Sequence, residues 1–100
     1  LHLPLRYEDH TQLRPLADVR SGETVQTEGV VISAEIQYRP RRQFVCMIRD
    51  EHGDASLVLR FFSFYPSHQR SLKPGARVRV FGDVRAGYFG PEIVHPQFKA

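Results

Sequence analysis

Arginines and aromatic rings share three short stretches of this sequence. QYRPRRQ holds Arg39, Arg41 and Arg42 beside Tyr38. RAGYFGP places Arg85, Tyr88 and Phe89 around two glycines. RFFSFYPSHQR starts at Arg60 and crowds Phe61, Phe62, Phe64 and Tyr65 into five positions. A guanidinium forks onto phosphate and stacks on bases, and a flat ring offers its π-face to a base. Such interleaving is what a nucleic-acid surface needs. Twelve of the fourteen basic residues are arginine, which tilts the same way, although the net charge is only +3. The bland alternatives stay open: Arg39–Arg42 as a solvated loop, and Tyr88 or Phe89 folded back onto the domain.

Other chemistry finds little support. The five histidines have none of the spacings of a metal site, and a single cysteine excludes an internal disulfide and a cysteine-based metal centre. Cys46 lies inside QFVCMIR and reads as a buried structural thiol. DEHGD, Asp50 to Asp54, reads as a charged hairpin turn. No phosphate loop, nucleophile elbow or dinucleotide fingerprint is present, so the segment is expected to have no catalytic activity and no cofactor. No apolar run approaches the roughly 20 residues of a membrane span, and no leader peptide is visible. A cytoplasmic monomer without membrane contact is expected. The missing initial Met and abrupt end suggest a piece of a longer protein.

The elements that must hold these residues are strands. Residues 1–20 carry Pro4 and Pro15, lack strand periodicity and read as a connector, with a turn of helix near Leu16–Val19; residues 21–100 form the domain. Period-two alternation then gives strands at about 23–37, 42–50, 55–62, 76–85 and 91–95. A helix is expected over 64–73, capped by Ser63, with Phe64 and Leu72 facing inward. VRSGETVQTEGVV and LKPGARVRVFGDV echo each other, each a glycine turn followed by a strand with an internal glycine, Gly29 or Gly82. Glycine inside a strand marks a bulge or sharp bend, as a small barrel requires. The fold class is therefore all-β: a five-stranded Greek-key OB-fold barrel with a short helix between strands 3 and 4. Such barrels bind oligonucleotides on the strand 2–3 face and with the 1–2 and 4–5 loops, where QYRPRRQ and RAGYFGP fall.

Parity divides the crowded rings. Leu57, Leu59 and Phe61 share one face of the third strand; Ser56, Val58, Arg60 and Phe62 share the other. An arginine cannot enter a small core unpartnered, so Arg60 marks the solvent face, and Phe62 stands outside with it. On the fourth strand Val78 and Val80 point in while Arg77 and Arg79 point out, giving an outer face that reads as largely basic. Tyr65, off the helix's inner stripe, is a second exposed ring. A Phe62 covering the barrel beneath another domain is the bland reading.

LPLRYED, LVLRFFSFYPS, LKPGARVRVFGDVR and GYFGPEIVHPQF together resemble the wedge domain of the RecG family of branch-migrating DNA helicases. The resemblance covers nearly the whole chain, and RFFSF and EIVHP mark it best. It implies an OB-fold that grips stalled replication forks and Holliday junctions while motor domains of the same chain, using ATP and Mg, pull duplex against it. It also implies single-strand-binding protein as a partner. Phe62 matches the family aromatic that stacks at the branch point, and Tyr65 is the nearest match for a second one. Two rival readings compete: a general single-strand-binding OB module, and a protein-docking barrel whose rings seat a partner.

Overall fold

A computed structural model of the chain describes residues 13–100. LPLRYED and the first twelve residues of the expected connector lie outside the described residues. Within them the order is a 3-10 turn (Leu16–Asp18), β1 (Thr24–Gln37), β2 (Gln43–Arg49), β3 (Ser56–Phe61), α1 (Pro66–Ser71), β4 (Arg77–Gly87), β5 (Gly90–Val94) and β6 (Gln97–Lys99). β1 pairs with β2 and β4, β2 with β3, β3 with β5 in parallel, and β5 with β4. That circuit closes the expected five-stranded barrel.

The sequence echo has a structural cause. Its two halves pair with each other antiparallel, Gly29 opposite Val78 and Val25 opposite Gly82, so Thr27 and Val80 sit at a local two-fold. The turn glycines, Gly22 and Gly75, have φ of 91° and 93° and donate to the carbonyls of Val84 and Val31. Each half thus closes the other. Gly29 lies where β1 passes from β4 to β2; a Cβ there would come within 2.8 Å of the Arg49 carbonyl oxygen. Gly82 admits Ile93 in the same way, its Cβ falling 2.6 Å from Cγ2. Glycine in a strand marks such close approaches, of backbone at Gly29 and of a side chain at Gly82.

Alternation fills the barrel with Val25, Val31, Phe44, Cys46, Ile48, Leu57, Leu59, Phe61, Val78, Val80, Val84 and Ile93. Phe64 and Leu72, flanking α1, face the core as expected, and Leu16 and Val19 join the same cluster. Residues 13–20 are therefore packed on the barrel, and Leu13 bridges to Gln26.

Three expectations need correcting. The helix starts at Pro66, not beside Ser63: Tyr65 is its N-cap, and the Tyr65 N–H donates to His68 Nδ1 at 2.9 Å. β6 was unforeseen; it adds to the edge of β4 and lays Phe98 against Phe61. Val58, outward by parity, is buried and yet stands outside the core cluster. Parity fixes a side chain's face but not what covers that face.

Cys46 is fully buried, and desolvation pushes its thiol from the ordinary 9.0 up to about 12. Holding the thiol neutral stabilises the fold below pH 9.0, and that contribution falls away as pH climbs from there toward 12. Iodoacetamide at pH 8 should leave the native chain unmodified by mass spectrometry and alkylate it once urea unfolds it. Equal labelling in both states would mean that β2 opens readily.

Candidate nucleic-acid interface

A single groove gathers residues from both loops and the face between them. Pro40 and Arg41 come from the β1–β2 loop, Gln43 from β2, Arg60 and Phe62 from β3 and its end, and Glu92 from β5. Arg85, Ala86, Gly87 and Tyr88 complete it from β4 and the hairpin that follows. Five of the nine candidate residues thus meet: Arg41, Arg60, Phe62, Arg85 and Tyr88. Arg39, Arg42, Tyr65 and Phe89 lie outside the groove lining.

At the floor of the groove is a charge network that the sequence reading missed. Glu92 is 3% exposed, opposite Val58 and Arg85 on the two neighbouring strands. Arg60 Nη2 donates to its Oε1 at 3.1 Å, and Arg60 Nη1 to Gln43 Oε1 at 2.6 Å. Arg85 holds the other oxygen, Oε2, at 2.7 Å. The carboxylate fits because residue 87 is glycine; a Cβ there would lie 2.3 Å from Oε1. Arg60 does face outward, as parity required, but its side chain is only 14% exposed and its fork is committed to protein acceptors.

The outer face is also less basic than expected. Arg77 pairs with Glu51 at 2.6 Å and Arg79 with Glu28 at 3.3 Å, which offsets their charge. Arg39, Arg41 and Arg42, by contrast, have no carboxylate partner among the described residues. Three cations without a carboxylate partner thus stand within four positions of one loop. Arg41 stands 4.6 Å over the Phe62 ring and Arg42 4.3 Å over the Phe64 ring. These cation–π contacts pin a loop that composition alone would leave solvated.

Phe62 is half-buried, flanked by Arg41 on one side and the His95 ring at 6.2 Å. Tyr65 is 67% exposed, with its ring stacked on His68. Tyr88 and Phe89 form the two-residue tip of the β4–β5 hairpin, edge-to-face at 4.8 Å. Tyr88 is 90% exposed, so the tip does not fold back onto the barrel. Tyr38, on the arginine loop, is exposed as well.

Gln43, Glu92, His95 and His68 are the residues that sequence reasoning left without a role. Two of them, Glu92 and His95, stand in EIVHP, yet nothing local marks that glutamate as buried rather than solvent-facing. His68 sits three residues after Tyr65, the slot of a capping box. Gln43 gave no signal.

A closed barrel whose groove joins a basic loop, a half-buried ring and an exposed one defines a class, and the comparisons agree: the chain belongs to the family of OB-fold nucleic acid binding domains, whose profile matches residues 19–100. The relatives narrow this. The chain is 39% identical over 99% of its length to the ATP-dependent DNA helicase RecG of Escherichia coli K12, and 41% identical over 98% to that of Pasteurella multocida. It spans 14% of the length of each. A structure of RecG bound to a three-way DNA junction shares the fold with a TM-score of 0.70 at 23% identity, covering 88% of this chain and 12% of that one. The second OB-fold domain of replication protein A from Methanococcus maripaludis does so at 0.60 and 17%, over 88% of this chain and 93% of that one. The resemblance read from RFFSF and EIVHP is thereby borne out. Among the described residues no helix is long and apolar enough to cross a membrane, and no cluster could hold a metal ion.

Proposed function

We propose that this chain is the branch-gripping module of a RecG-like helicase, binding stalled forks and Holliday junctions by their structure. The observation that carries the reading is the groove that joins Phe62 to the unpaired arginine loop and the Tyr88 hairpin tip. Arg39, Arg41, Arg42 and the outer edge of Arg85 hold phosphates, which fixes register without reading sequence. Phe62 offers a ring to a branch-point base that has lost a stacking neighbour, and Tyr65, Tyr88 and Phe89 offer further rings nearby. Arg60 sets the groove floor through Glu92. Motor domains elsewhere in the parent chain, using ATP and Mg, would pull duplex against this module in the cytoplasm, with single-strand-binding protein as a further partner.

A three-way junction and a single strand of equal length, titrated side by side, test the reading. The junction should bind the chain at least about tenfold more tightly, one stacking energy in the usual range. Preference for the single strand would make this a general strand-binding module. Binding to neither, or binding with a flat response to salt, would favour protein docking.

A further inference from the structure

The two candidate rings on RFFSFYPSHQR share an unusual form of support. β3 ends at Phe61, so Phe62 has left the ladder, and its N–H donates to His95 Nε2 at 3.2 Å. Tyr65 precedes α1, and its N–H donates to His68 Nδ1 at 2.9 Å. A backbone N–H can only donate, so each accepting nitrogen carries a lone pair and the proton sits on the other ring nitrogen. Both imidazoles also pack on one core ring, Phe61, with centroids 5.1 Å away for His68 and 5.9 Å for His95.

His95 is held in place at some cost. Its φ of 54° lies in the left-handed region, where a side chain other than glycine's is strained. His95 is exposed, so burial of its own surface does not offset that strain. What the conformation achieves is geometric. It lets the His95 N–H donate to the Arg60 carbonyl at 2.8 Å while the ring turns back to meet Phe62. The residue clamps the chain on both sides of the point where β3 releases it.

We infer that His95 and His68 are positioning residues for DNA binding: each sets one candidate ring, half-buried Phe62 or exposed Tyr65, by accepting that residue's own backbone N–H, with Phe61 as the common reference. This rests on the proposed role of Phe62. The acceptor nitrogen, and not the bulk of the imidazole, is what matters. Glutamine at 95 can replace Nε2 with an amide oxygen, and asparagine at 68 can replace Nδ1; phenylalanine keeps the ring and removes the acceptor.

Three-way-junction affinity of His95→Phe, His95→Gln and Phe62→Ala, each with its melting temperature, tests the idea. His95→Phe should bind about fivefold more weakly, the equivalent of one hydrogen bond, and His95→Gln within about twofold of the parent. His68→Phe and His68→Asn should show the same order with smaller losses. Wild-type binding by His95→Phe, or equal loss in the Phe and Gln variants, overturns the inference. If His95→Phe does not fold, a folded His95→Gln decides alone: near-parental affinity supports the inference and a fivefold loss overturns it. Phe62→Ala separates the two layers. Unchanged binding there defeats the role of Phe62 itself, whereas loss there with no loss in His95→Phe defeats only the positioning role.

Discussion

Replacing Glu92 with alanine should destabilise the domain by about 3–5 kcal/mol, the usual consequence of removing one partner of a buried ion pair. The carboxylate is 4% exposed as a side chain and answers two guanidiniums at once. Its loss strands Arg60, whose side chain is 14% exposed and whose only other acceptor is Gln43 Oε1. Arg85 suffers less, because its side chain is 57% exposed and water can take over. Arg85→Ala takes the donor from Glu92 Oε2 but leaves Arg60 on Oε1, so it should cost less than Glu92→Ala, about 1–3 kcal/mol. Glu92→Gln, which keeps the shape and one acceptor, should fall between the two. For a domain of this size, 1 kcal/mol shifts the melting temperature by about 4–8 °C, so Glu92→Ala should melt well over 10 °C lower. Thermal denaturation of the three variants reads the order directly. Equal losses for Glu92→Ala and Arg85→Ala would mean that the network behaves as an ordinary surface pair.

Why that network was illegible while the barrel was legible follows from what a sequence encodes locally. Alternation over Leu57–Phe61 and Val78–Val80 depends on neighbours two positions apart, so the inner faces of β3 and β4 could be read directly. Gly29 and Gly82 announced their bends because a side chain at either position would collide with its neighbour, the Arg49 backbone or the Ile93 side chain. Arg60 and Glu92 stand 32 residues apart and meet only through the parallel β3–β5 pairing that closes the barrel. Parity could say that Arg60 faces outward; it could not say that a glutamate waits there, nor that Val58 is covered. The ion pairs of Arg77 and Arg79 were hidden for the same reason. The arginine loop was legible as charge, but its cation–π seats on Phe62 and Phe64 depend on tertiary placement. β6, three residues long, was too short to show a period.

Because those distant pairings neutralise Arg60, Arg77 and Arg79, the electrostatic weight of DNA binding should fall on the loop. Replacing Arg39, Arg41 and Arg42 with serine should lower the slope of log affinity against log salt by about 2.7, if each contacts one duplex phosphate and releases its counterion. Between 50 and 200 mM salt, that difference amounts to about 40-fold: the parent should lose that much more affinity than the triple variant. Arg77→Ser with Arg79→Ser, two cations already answered by Glu51 and Glu28, should barely move the slope. The loop change has a second consequence. Arg41 lies over Phe62, so its removal uncovers one face of the ring. The triple variant should accordingly bind a junction more weakly at low salt yet keep part of its preference for the junction over a single strand, since stacking survives. Salt titrations of both variants on both DNAs check the two claims together. An unchanged slope in the loop variant would place the phosphate contacts elsewhere on the barrel, and equal slopes in the two variants would mean that the paired arginines exchange their glutamates for phosphate.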